Sequence, residues 1–278
     1  MNIIGSFEQC NLLIKDFKKA NGKTVTNFFF LPKELKSLIE QKEVQFQQNG
    51  GTLIFSVEEQ DFSHIYYFVR EGQTPEIRKT DKVMILDLVA RKGQNSDEIK
   101  SEGKRWQAVG FQAYKSYVRM KYGIDKKTYK GIRFELDNKC FFSRARQEDI
   151  NAVSDLWNMN LDRYSTPLPS AGDMKQIVES GHVFVVRQSD SVVGAVYMNA
   201  ASKSCVLQHL AVAPRCRRQG LGSVLMGYAL NAMAQEGIET CYLWVDVHNV
   251  PAYESYKKYG FEEDGLWSEQ LRCDADKE

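Results

Sequence analysis

The sequence predicts an α/β (α+β) chain of two domains, and three observations carry that reading. The length, 278 residues, is enough for one large or two ordinary domains. A pattern of strand, helix, Gly-Phe and strand occurs twice, ending at Gly110-Phe111 in the first half and at Gly260-Phe261 in the second. Each half also contains a pair of strand-like runs arranged as a hairpin, over 52–70 and 182–200.

The first half opens with a helix over 7–19, in which Phe7, Cys10, Leu13, Ile14 and Phe17 share one face. Ser6 can cap its start and Gly22 its end. Phe28, Phe29 and Phe30 form a short apolar strand. Pro32 suits the first turn of a helix that runs to about residue 48, where Asn49-Gly50-Gly51 stops it. Residues 52–57 and 65–70 alternate as an antiparallel pair. After Gly72 and Pro75, residues 83–90 form a buried strand. A helix covers 96–109, and after Gly110-Phe111 a strand runs to Met120. Residues 121–130 are polar and basic and belong to a connection.

The second half begins with a strand near Phe141, followed by a helix that starts in SRARQED and runs to about Asn160. Thr166-Pro167-Leu168-Pro169 is a break. A short helix over 173–179 ends at Gly181. Residues 182–187 and 192–200 flank a turn at Gln188-Ser189-Asp190-Ser191. A strand over 206–212 ends at Pro214. Next come Arg215, Arg217, Arg218, Gly220 and Gly222, and then a helix with Leu221, Val224, Leu225, Tyr228, Ala229, Ala232 and Met233 on one face. A second buried strand over 239–247 precedes a short helix. Asn249 or Val250 can cap that helix, Pro251 suits its first turn and Gly260 its left-handed end.

The segment LQHLAVAPRCRRQGLG, residues 207–222, offers a place for a phosphate group; the other reading of the loop alone is an arginine-rich surface turn before a core helix. Glycines let backbone N–H groups approach a ligand closely. A helix N-terminus adds partial positive charge and free N–H groups. The arginines add fixed charge and forked donors. No Gly-Lys-Ser/Thr follows, so this is not a Walker loop, and the third glycine of the dinucleotide fingerprint is missing.

The strand followed by R-x-x-G-x-G (Arg217, Gly220, Gly222) resembles the acyl-CoA pyrophosphate loop of the GNAT superfamily of N-acyltransferases. Downstream, Leu243, Val245, Asn249, Ala252, Tyr256, Gly260 and Phe261 match the spacing common to that family. The order of elements over roughly 141–272 is similar as well. The resemblance implies two fused GNAT-like domains, each a mixed, mostly antiparallel sheet flanked by helices. Residues 139–278 would be the catalytic domain, and 1–138 a degenerate or substrate-side domain without a CoA loop. Between residues 70 and 83 the first half has no room for a phosphate-loop strand and its helix.

The same resemblance implies transfer of acetyl from acetyl-CoA to a primary amine of a small molecule or peptide; the alternatives are a tandem-GNAT aminoacyl or thiol-precursor transferase and a non-catalytic acyl-CoA-binding module. Arg217, Arg218, Gln219, Gly220, Leu221, Gly222 and Ser223 would hold the pyrophosphate. The backbone of Leu210, Ala211 and Val212 would bind the pantetheine arm and polarise the thioester carbonyl, while their side chains serve as strand core. Tyr256 would be the general acid. Asn249 would contact the CoA arm or simply cap its helix. Many relatives carry a glutamate where Gln208 stands, and a glutamine cannot accept a proton. His209 is adjacent but alternates to the opposite face. Asp246 and His248 are further candidates, and no base is assigned.

Composition excludes several other classes. Apolar residues make up 43% and charged residues 26%, an ordinary globular balance. The net charge of +1 gives no bulk attraction to nucleic acid or to a membrane surface. No apolar run approaches a membrane span, and Glu8 interrupts any signal-peptide core. The six cysteines are scattered without C-x-x-C pairs, which argues against a metal site and a disulfide scaffold and suits a reducing cytoplasm.

Overall fold

The structure is a computed structural model and describes residues 2–90, 96–124, 140–165 and 168–275. The expected domain boundary at 138/139, most of the 121–130 connection and Thr166-Pro167 lie outside the described residues. In chain order the elements are β1 (Asn2–Ile3), α1 (Phe7–Asn21), β2 (Thr24–Thr26), α2 (Pro32–Gln41), β3 (Val44–Asn49), β4 (Thr52–Glu58), β5 (Phe62–Arg70), β6 (Val83–Ala90), α3 (Ser96–Gln107) and β7 (Gln112–Gly123). They continue with β8 (Cys140–Arg144), α4 (Ile150–Asn160), α5 (Ala171–Glu179), β9 (Val183–Gln188), β10 (Ser191–Ala201), β11 (Ser204–Val212), α6 (Leu221–Gln235), β12 (Thr240–Asp246), α7 (Val250–Lys258) and β13 (Glu262–Cys273). The chain divides into two compact units, Met1–Tyr117 with Gly265–Glu278, and Val118–Asp264. The division falls inside β7 and inside β13.

In the first unit the strand order is β1-β3-β4-β5-β6-β13, with β2 also beside β5. All neighbours are antiparallel except β5 and β6. α1 behaves as its sequence requires: the Ser6 hydroxyl accepts from Gln9 N, and Gly22 ends the helix at φ 69. Two readings need correction. Phe28–Phe30 is not a strand; the strand is Thr24–Thr26, just upstream, and Phe28 and Phe30 pack as rings against Phe55, Tyr66 and Phe68. The helix from Pro32 ends at Gln41, and Val44–Asn49 is a strand. Val44 and Phe46 alternate with glutamines, and pairing with Thr52–Val57 across Gly50-Gly51 outweighs the helical tendency of the glutamines.

β5 alternates between two faces. Ile65, Tyr67 and Val69 join Leu86, Leu88, Trp106 and Phe111, while Phe68 joins Cys10, Phe17, Leu35 and Phe55. Between β5 and β6 there is a loop with no helix, as the short gap requires.

In the second unit β12, β11, β10, β9 and β8 are consecutive neighbours, with β7 next to β12. β8 to β11 pair antiparallel and β11 pairs parallel with β12. The first unit repeats this sequence of pairings through β1, β3, β4, β5 and β6. The hairpin over 52–70 is therefore equivalent to β10–β11 rather than to β9–β10. The core of the second unit holds Trp157, Phe184, Leu225, Met233, Leu243 and Phe261. The short helix begins at Ala171, ahead of its expected start, because Ser170 and Asp173 form a reciprocal cap.

Both parallel pairs come apart. β5 and β6 stay in register from Phe62↔Val83 to Ile65↔Leu86 and no further. β2 then takes the vacated edge of β5, with Thr24 opposite Arg70 and Thr26 opposite Phe68. Asn27 spans the opening. Its Nδ2 donates to the carbonyls of Ile65 (3.0 Å) and Asp87 (3.1 Å), and its Oδ1 accepts from Tyr67 N (2.8 Å).

Candidate functional site

In the second unit the corresponding edge is open. β11 and β12 are register partners only from Ser204↔Thr240 to Val206↔Tyr242. β11 continues along β10 to Val212, so from Leu210 to Val212 its other edge has no strand beside it among the described residues. A bulge interrupts this stretch: Ala195 faces Ala211 and Tyr197 faces Gln208, leaving His209 and Leu210 together opposite Val196. His209 takes φ 51, a conformation uncommon for a residue with a side chain. Its ring packs against Trp157 and Tyr197, at 5.1 and 6.3 Å between centroids. Its Nδ1 has no hydrogen-bond partner, and burial lowers its pKa to about 4, so the ring is neutral at pH 7. Nothing in the local sequence marks this bulge.

The loop follows the open edge. Pro214–Cys216 is a 3₁₀ turn with Cys216 buried inside. Arg217 Nε donates to the Val212 carbonyl (3.0 Å), and its guanidinium reaches the Asn160 side chain at the end of α4 (2.6 Å). That guanidinium therefore fastens the loop to β11 and α4, a role the motif alone did not indicate. Arg215 and Arg218 form no ion pair among the described residues. Arg218 has φ 62 and Gly220 φ 77, so the chain turns left-handed twice before α6. A Cβ on Gly220 would meet nothing within 4 Å, so open space lies over the helix start. α6 begins without a side-chain cap. The N–H groups of Leu221, Gly222 and Ser223 thus have no partner within the helix and point into that space.

α7 closes the arrangement. Asn249 is its cap, Oδ1 accepting from Ala252 N at 3.4 Å. The three tyrosines of this segment differ. The Tyr253 hydroxyl donates to Glu263, and the Tyr259 hydroxyl donates to the Ser223 carbonyl at 2.7 Å. The Ser223 and Ser255 hydroxyls meet at 3.0 Å, which adds a second tie between α7 and the start of α6. Tyr256 is 8% exposed, its ring edge-on to Phe261 at 5.8 Å, and its hydroxyl bonds no described residue. Burial pushes its pKa up to about 12, with Cys241 on β12 adding to the effect. Cys241 faces Cys205, one position before the last paired residues of β11 and β12.

The structure thus groups Val212, Arg217, Gly220, Leu221, Gly222 and Ser223 around the loop, with Arg218 and Gln219 on its exposed side. Gln208 lies in register with Tyr197. Asp246 Oδ1 accepts from His248 N (2.9 Å) and lies 3.2 Å from His248 Nδ1, on an exposed turn. Asn160, the partner of Arg217, had no signal in the sequence. Among the described residues no helix is long and apolar enough to cross a membrane.

Residues 141–261 match the model of the acetyltransferase (GNAT) family. No curated protein matches the chain. A crystal structure of a GCN5-related N-acetyltransferase from Sphaerobacter thermophilus is similar at 11% identity and TM-score 0.65, covering 95% of this chain and 90% of that one. A tandem GNAT protein from the clavulanic acid biosynthesis pathway is similar at 9% identity and TM-score 0.62, covering 100% and 98%. A Drosophila protein is similar at 15% identity and TM-score 0.58, covering 99% and 98%. At these identities the likeness shows the fold, a GNAT fold that includes the tandem arrangement.

Proposed function

We propose, taking the GNAT acetyltransferase domain at 141–261 as the premise, that the chain transfers acetyl from acetyl-CoA to a primary amine of a small molecule or peptide. The observation that carries this reading is the unpaired edge of β11 from Leu210 to Val212, leading directly into the uncapped start of α6. An extended arm that carries amides can pair with that edge, and a phosphate can sit on the helix N–H groups beside Arg218. The first unit's own β2 occupies the equivalent edge, which supports a single CoA site per chain. When bound, acetyl-CoA supplies an activated thioester.

Backbone N–H groups of the open edge hold the carbonyl and stabilise the charge that develops on it. Tyr256 keeps its proton at any ordinary pH and offers it to the departing sulfur. A phenol near 12 facing a thiol of ~8.5 in water would not transfer its proton readily. The same burial raises the pKa of a thiolate pressed against it, which brings the two together. Six free, buried cysteines suit a reducing cytoplasm. The test is incubation with acetyl-CoA and a panel of amines, read by thiol release. Amine-dependent release is expected. CoA binding with no release from any amine would leave a binding module and overturn the enzymatic reading.

A further inference from the structure

A second cavity lies wholly within the first unit, between β2, the far end of β6 and α3. Its volume is about 600 Å³, ample for a small metabolite. Glu102 forms its wall and is 5% exposed. The carboxylate accepts from Trp106 Nε1 (3.2 Å) and from Arg105 (3.1 Å), and Tyr67 lines the same wall. Burial nevertheless holds this carboxyl above its ordinary value, so its charge remains under-compensated. A buried carboxyl perturbed in this way inside a cavity marks a binding site more often than a surface ion pair does. Leu88 and Ile99 supply an apolar wall, and Thr24 and Ser101 line the cavity as well.

We propose that this cavity binds a small zwitterion of the α-amino acid type, its ammonium on Glu102 and its carboxylate on Arg105. The charges on the inner wall select the class; the other charged pair lining the cavity, Lys23 with Glu71 at 2.6 Å, is exposed to water. A simple cation taken up by Glu102 would strip Arg105 of its partner, and a simple anion on Arg105 would strip Glu102. A charge left alone is costly at buried Glu102, and less so at the partly exposed Arg105. A zwitterion returns a partner to each, and a carboxylate fits the guanidinium fork. Leu88 and Ile99 favour a small apolar side chain. All of these residues belong to the first unit, so the proposal does not depend on the acyltransfer reading.

Calorimetric titration of the full chain with glycine, alanine and valine tests this, with ethylamine and propionate as singly charged probes. At least one amino acid should bind, and each singly charged probe should bind at least tenfold more weakly. Arg105→Gln should weaken amino acid binding at least tenfold. Ser101→Trp, a change at an exposed position on the cavity wall, should block it, and this variant keeps the test open if Glu102→Gln fails to fold. Acetyl-CoA affinity should be the same in all variants. Absence of amino acid binding at millimolar concentration would overturn the proposal. So would equal binding of ethylamine or propionate, or unchanged amino acid affinity in Ser101→Trp and Arg105→Gln.

Discussion

Val206 on β11 and Tyr242 on β12 are the last register partners of their parallel pair, and past them the two strands separate. In the first unit, Ile65 and Leu86 hold the same position, and there Asn27 bridges the opening. One opening is free and one is filled, and the predictions below turn on that difference.

Acetyl-CoA should raise the melting temperature, and Gly220→Asp should abolish the rise. The variant should fold with a modest loss of stability: φ 77 strains any side chain there, but aspartate is among the residues that tolerate this region, and nothing lies within 4 Å of its Cβ. Its carboxylate repels phosphate. A folded Gly220→Asp protein with unchanged CoA affinity would refute the loop assignment.

Arg217 and Arg218 should part company on substitution. Arg218→Gln should weaken acetyl-CoA binding roughly tenfold, about 1.4 kcal/mol, without changing stability. Arg217→Gln should lower stability by on the order of 1 kcal/mol, since it loses its bonds to Val212 and Asn160. Urea unfolding midpoints that coincide for the two variants would rule out the fastening role.

Tyr256→Phe should lower kcat by roughly 10²–10⁴-fold while leaving KM and folding nearly unchanged. Because burial raises the phenol to about 12, wild-type kcat should show no alkaline loss from this group near pH 10. Tyr253→Phe and Tyr259→Phe, whose hydroxyls already have protein partners, serve as comparisons. Full activity in Tyr256→Phe would remove it from the mechanism.

His209 should make the fold sensitive to acid. Its folded pKa, about 4, lies below the ordinary 6.5, so its stabilising contribution is complete above pH 6.5 and is lost as pH falls toward 4. The shift corresponds to roughly 3 kcal/mol. The difference in unfolding free energy between wild type and His209→Gln should narrow by about that amount across this window. A pH-independent difference would mean that His209 takes up its proton alike in the folded and unfolded chains, and would refute its burial as a neutral group.

Asn27→Ala should destabilise the first unit by on the order of 2–3 kcal/mol, because three buried hydrogen bonds disappear together. CoA stoichiometry should be one per chain in both wild type and variant. Two CoA per chain would show that β2 yields its place.

The sequence by itself determined the features that local chemistry controls. Ser6 and Gly22 bound α1, Asn249 and Pro251 start α7, and Pro214 and Gly220 separate β11 from α6. Each depends on dihedral limits and hydrogen bonds within a few residues, so the pattern is visible without a fold. The turn before α6 and the helix that carries Tyr256 were legible for the same reason. Only tertiary structure decided the rest. Val44–Asn49 became a strand because Thr52–Val57 offered it a partner. Trp267–Cys273 joined the first unit by pairing with Met84–Ala90, a contact between residues far apart in the chain. The bulge at His209, the capture of Arg217 by Val212 and Asn160, and the filling of one opening by β2 all depend on which edges remain free once the strands pair. Such a choice is made between distant segments competing for the same backbone groups, and no single segment records its outcome.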